Sequence, residues 1–250
     1  MTSLRATLKS ATALAAFTLS FPMASWAEEP IPVVATFSIL GDMVKRIGGE
    51  HIALTTLVGP DGDTHVYQPT PKAARSVAEA DVLFLNGLDF EGWLERLAEA
   101  ASFDGTMVVA TNGVVPIAFD DHDDHDDEKH DDHDDHDDHD DHDDEKHDDQ
   151  DDRDDHDDHD DHAGHDHGAF DPHAWQSLEN AVIYANNIAA GLAQADPENA
   201  GDYYTNRAAF VAEVEVLKSE VDAMMKNLPS DKRTVVTAHD AFGYCGATYD

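Results

Sequence analysis

Residues 120–167 cannot enter a hydrophobic core, and this divides the chain before any other pattern is considered. The segment repeats a His-Asp-Asp triplet with few breaks and contains almost nothing apolar. It holds 29 acidic side chains against Lys129, Lys146 and Arg153, a net of −26. Self-repulsion and the lack of anything to bury predict a disordered insertion. As a loop it costs little, because closure entropy grows slowly with length. The whole chain carries −39, so the remainder is an ordinary acidic protein at −13. Such a charge repels nucleic acid and membrane phosphates and attracts cations or a basic protein partner.

The first residues have the form of a signal peptide, expected over 1–27. Arg5 and Lys9 supply a positive start, Ala11 to Met23 are mostly apolar or small, and Ser25-Trp26-Ala27 suits a cleavage site. The alternative is an N-terminal anchor helix, but the apolar run is short and Pro22 interrupts it. No cysteine follows the cleavage site, which argues against lipid attachment there. The periplasm is the expected location. Cys245 is the only cysteine, so no internal disulfide is available and stability must come from a core.

From Ile31 the pattern is strand, turn, helix, repeated. Ile31–Thr36, Ile52–Val58, Val82–Leu85 and Met107–Ala110 are expected strands. Helices are expected from Ser38 as N-cap to Ile47, from Pro71 behind a Thr70 cap to about Ala80, and over Phe90–Ala100. Strands apolar on both faces, alternating with amphipathic helices, predict an α/β fold with a parallel sheet covered on both sides. After the insertion, helices are expected over Ser177–Ala195 and Pro197–Leu228. The second has an apolar series of Tyr204, Val211, Val214, Leu217, Val221, Met224 and Leu228. At 1.5 Å per residue it spans roughly 45 Å, suited to a strut between two lobes. Thr234–Thr237 is an expected strand. The organisation is then a first lobe over 28–119 and 168–196, a linker helix over 197–228, and the start of a second, incomplete lobe over 229–250.

Four histidines lie outside the tract: His51, His65, His173 and His239. His51, at a strand entrance, is expected at the surface. The other three sit in short loops beside element ends. Ligands in open parallel sheets bind beyond the carboxyl ends of strands, so His65 and His239 are placed to converge on one cleft. Three imidazoles and one oxygen suit tetrahedral Zn(II), whereas manganese prefers more carboxylate. Asp63, Asp171 and Asp240 are candidates for orienting the rings, or, alternatively, for turn formation and helix capping.

Four segments together carry a resemblance: Thr36-Phe37-Ser38-Ile39-Leu40-Gly41-Asp42, Val58 through Pro71, Asp171-Pro172-His173-Ala174-Trp175, and Thr237 through Tyr244. They resemble the metal-binding subfamily of ABC-transporter solute-binding proteins, nearest to zinc-uptake members with an acidic His-rich loop. The resemblance implies two α/β lobes joined by one long rigid helix, with metal held between them by His65, His173 and His239. The third position in manganese relatives is usually glutamate, so His239 favours zinc. A fourth ligand, commonly aspartate, would come from the second lobe. Also implied are a monomer that carries zinc as transported ligand, a membrane permease partner, a periplasmic zinc chaperone as a further partner, and no enzymatic activity.

The tract histidines His122, His125, His130, His133, His136, His139, His142, His147, His156, His159, His162, His165 and His167 form a candidate set of weak auxiliary zinc sites. The bland alternative is a solvated polyanion. Ordering a floppy segment makes such sites weaker than a preformed cleft, and protonation removes imidazole ligands below about pH 6.5. Two rival functions stand beside zinc capture. One is a periplasmic buffer or adhesin acting through the tract. The other is a zinc hydrolase, opposed by the lack of His-Glu-x-x-His and of any Glu beside the three histidines. A stiff linker helix also predicts a small closure on metal binding rather than a wide hinge.

Overall fold

The computed structural model describes residues 29–118, 169–237 and 239–249. The expected signal peptide over 1–27 and the tract over 120–167 lie outside the described residues. Four strands, β1 (Ile31–Phe37), β2 (Ile52–Val58), β3 (Val82–Leu85) and β4 (Thr106–Val109), form one parallel sheet in the order β2-β1-β3-β4. The order reverses direction between β1 and β3, which opens a crevice at the carboxyl edge of those two strands. β1 from Val33 to its end and nearly all of β3 are buried, as expected for strands covered on both faces.

The helices between strands start where local chemistry favours it. Thr70 caps α2 (Pro71–Ala78) by accepting the Ala73 N–H, with proline in the first turn. Ser177 caps α4 (Leu178–Ala195) in the same way. In α1 (Ser38–Gly48) the expected serine cap is displaced: Phe37 occupies the cap position in extended conformation and Ser38 is already helical. Helices α1, α4 and α5 (Ala200–Asn227) pack together, while α2 packs with α3 (Leu94–Ala101). Gly191 of α4 allows a close approach to the sheet, since a Cβ there would stand 2.5 Å from Val108 Cγ2. Gly191→Val is expected to lower stability by about 1–3 kcal/mol through overpacking, read as a shift in the chemical denaturation midpoint.

Four further expectations need correction. The third helix begins at Leu94, because Leu88 (φ 55°) and Asp89 (φ 59°) are left-handed and Phe90–Trp93 is a turn. In α5 the seated face is Tyr203, Phe210 and Val214, whereas Tyr204, Leu217 and Met224 of the expected series are exposed. Apolar residues surround this helix, so spacing alone did not select the face; Phe210 is held beneath the Arg46 guanidinium, and Arg46 pairs with Glu213. The linker also opens with one 3₁₀ turn, Pro197–Asn199, before α5. Finally, Thr234–Thr237 is not a strand. Val235 and Val236 are 75% and 93% exposed, and nothing among the described residues pairs with them; β-branched residues need a neighbouring strand to make a ladder. The final helix, α6, runs over Gly243–Tyr249.

Candidate metal centre

His65, His173 and His239 meet. Each offers a ring nitrogen, and the three atoms lie within 4.8 Å of one another. His173 is central: its Nε2 stands 3.2 Å from His65 Nε2 and 3.0 Å from His239 Nε2. Tetrahedral ligands at Zn–N of roughly 2.0–2.1 Å stand about 3.3–3.4 Å apart, so these spacings suit a common ion.

The loops that bring the rings together are tied down individually. His65 follows β2; its backbone N–H donates to Asp63 Oδ1 at 2.9 Å, and the neighbouring Thr64 carbonyl accepts from Trp93 Nε1 at 2.7 Å. Asp63 thus builds the turn that presents His65. Phe90, on the loop after β3, meets the His65 ring edge-on at 4.8 Å and the His173 ring at 5.9 Å.

His173 is 2% exposed. Asp171 Oδ1 accepts from both its backbone N–H and its Nδ1, each at 2.8 Å. A carboxylate on Nδ1 selects the tautomer whose Nε2 lone pair faces the other two rings. Asp171 is itself buried, and Gly243 of α6 lies against it: a Cβ on Gly243 would stand 2.5 Å from Asp171 Oδ2. The next residue, Tyr244, donates its hydroxyl to the Asp171 carbonyl at 3.1 Å and accepts the Ile117 N–H at 3.3 Å. Burial pushes the Tyr244 hydroxyl above its ordinary pKa, the Ile117 N–H acts against this, and the Asp171 charge adds to it. An antiparallel bridge between Ala118 and Phe170 completes this clasp. His239, exposed, stands on the segment leading into α6.

Of the three acids suggested as ring partners, Asp171 contacts a ring, Asp63 contacts backbone, and Asp240 is exposed. His51 is half-buried, bonded to Asp202 Oδ2 at 2.9 Å and edge-on to Tyr203. The thirteen tract histidines lie outside the described residues. Sequence reasoning assigned no role to Asn86, Phe90, Glu91 or Tyr244. Asn86-Gly87 directly after a strand at the reversal point was the available signal, although such a pair reads first as a turn.

The profile of the family described as ZnuA, "Zinc-uptake complex component A periplasmic", matches residues 33–250. The chain is similar to the metal ABC transporter substrate-binding lipoprotein SsaB of Streptococcus sanguinis, 29% identical over 226 residues, covering 88% of this chain and 60% of that protein. It is also similar to the manganese-binding lipoprotein MntA of Halalkalibacterium halodurans, 27% identical, covering 88% and 58% respectively. Its fold matches the Mn-bound periplasmic metal binding protein from Candidatus Liberibacter asiaticus with a TM-score of 0.64, at 24% identity, covering 87% of this chain and 65% of that one. The chain therefore spans about three fifths of the length of these relatives.

Proposed function

Because the chain belongs to the family of zinc-uptake complex component A proteins, we propose that it captures Zn(II) through His65, His173 and His239 and delivers it to an ABC-transporter permease on the outer side of the inner membrane. One observation carries the reading: ring nitrogens of three histidines cluster within 4.8 Å of one another around His173, whose far nitrogen is occupied by a buried carboxylate. In this arrangement the His173 lone pair faces the other two rings before the ion arrives, so less ordering cost is left for binding. A fourth ligand comes from a second lobe that begins over 229–250, with residues 197–228 as the connection, and the closure is small.

Manganese is the rival cargo, since the MntA relative is named for it. Three imidazole donors favour zinc, because manganese is the weakest binder of the divalent series at nitrogen sites and prefers oxygen. The tract histidines act as weaker auxiliary sites. A hydrolase reading finds no support in the site: Glu91, the buried acid nearest in sequence to Phe90, turns its oxygens toward Thr36, Asn86 and Gly87.

Chelator-competition titration tests the proposal. Deleting 120–167 is expected to leave tight zinc binding in place, and loss of it would transfer capture to the tract. In the tract-deleted protein, a His65→Ala, His173→Ala double variant is expected to show no tight site. A tight site retained there would overturn the ligand assignment.

A further inference from the structure

Glu91 is a buried ionisable group that the metal-binding reading leaves without a role. It is 8% exposed, and burial raises its carboxyl above the ordinary glutamate pKa while its hydrogen bonds act in the opposite direction. Its Oε1 accepts from Thr36 Oγ1 at 2.6 Å and from the Asn86 N–H at 2.8 Å; its Oε2 accepts from the Gly87 N–H at 3.2 Å. These bonds fold residues 86–91 back on the end of β3, through two consecutive non-glycine residues in the left-handed region, Leu88 and Asp89. Backbone of that kind persists only where surrounding contacts over-determine it.

The loop held this way reaches two of the three histidines by separate routes. Asn86 Nδ2 donates to the Pro172 carbonyl at 2.8 Å, the peptide directly before His173. The rest of Asn86 is locked as well: its Oδ1 accepts from Tyr184 and its carbonyl accepts from Thr111 Oγ1. Phe90, adjacent to Glu91, packs its ring on His65 and His173 and is itself braced by Phe37 and Trp175. Thr36 belongs to β1, so the clamp ties the two strands flanking the crevice to the ligands above it.

We propose that Glu91 is a positioning residue of the histidine cluster, aiming His173 through Asn86 and Pro172 and aiming His65 through Phe90. The proposal rests on the reading that these histidines take metal.

Glu91→Gln keeps the size of the side chain but turns one acceptor into a donor, which in either orientation faces a backbone N–H, that of Asn86 or of Gly87, that must also donate. Zinc affinity is measured by chelator competition at a temperature where circular dichroism shows the variant fully folded. A loss of about tenfold is expected, the scale seen when a group behind a metal ligand is changed. The same substitution in a His65→Ala background is expected to cost clearly less, since one of the two aimed ligands is already gone; independent effects would instead add. Thr36→Val, which removes a single bond to the carboxylate, gives a smaller loss in the same direction and serves if Glu91→Gln fails to fold. Affinity of both variants within about twofold of the parent, or full additivity with His65→Ala, overturns the proposal. If instead the parent loses no zinc binding in the His65→Ala, His173→Ala variant, the metal-site reading itself has failed, and the two failures are distinct.

Discussion

His173→Ala is expected to weaken zinc binding by about 100–1,000-fold. Structural zinc sites release roughly 10–16 kcal/mol in all, so one of four ligands accounts for about 2.5–4 kcal/mol. His173 should sit at the severe end because it is the hub: both other Nε2 atoms approach its own, at 3.2 and 3.0 Å, and it is nearly inaccessible to a substituting water. His65 is half-buried and His239 exposed, so water can replace either ring more readily, and their alanine variants should lose less. Competition against chelators of graded affinity gives the ranking directly. Parent-like zinc affinity in His173→Ala would remove this cluster as the capture site.

Asp171→Ala should act on both affinity and stability. Removing the carboxylate orphans two buried donors, the His173 N–H and Nδ1, which together cost about 2–5 kcal/mol of folding stability. Zinc affinity should fall by about 10–100-fold, because the imidazole is freed to rotate and loses its tautomer control. Asp171→Asn separates the two contributions. Its amide oxygen can still accept both hydrogen bonds, so stability should recover more than affinity does, the remaining deficit reporting the lost negative charge behind the ring. Denaturant unfolding and zinc competition on the same preparations make the comparison. Equal recovery in both would mean that the charge contributes nothing to the metal.

The elements that the sequence made legible are those governed by neighbours a few residues away. β2 and β3 stand at their expected limits, and the Thr70-Pro71 and Ser177 starts hold because a hydroxyl three positions ahead of an N–H needs no distant partner. The face of α5 was not legible in the same way. Its apolar residues occur all round, and Tyr203 rather than Tyr204 is buried because α1 and α4 already occupy the side from which the helix is approached. Residues 234–237 have strand-forming composition and no strand, since a strand is a property of a pair. Glu91 likewise reads as one more acid of the helix expected over Phe90–Ala100 until Leu88 and Asp89 reverse the chain and turn its carboxylate inward.

Sequence alone determined the ingredients of the candidate metal centre. It separated three sparse histidines at element ends from thirteen in a polyanionic tract, and placed an aspartate two positions before two of them, His65 and His173. Only the tertiary structure decided which atoms meet. His65 and His173 touch across 108 positions, and His173 and His239 across 66. No propensity or spacing reaches that far. The reversal of strand order between β1 and β3, the packing of Gly243 on Asp171, and the hydroxyl of Tyr244 between Ile117 and Asp171 bring those segments together, because each is a contact whose partners become neighbours only when the sheet has formed.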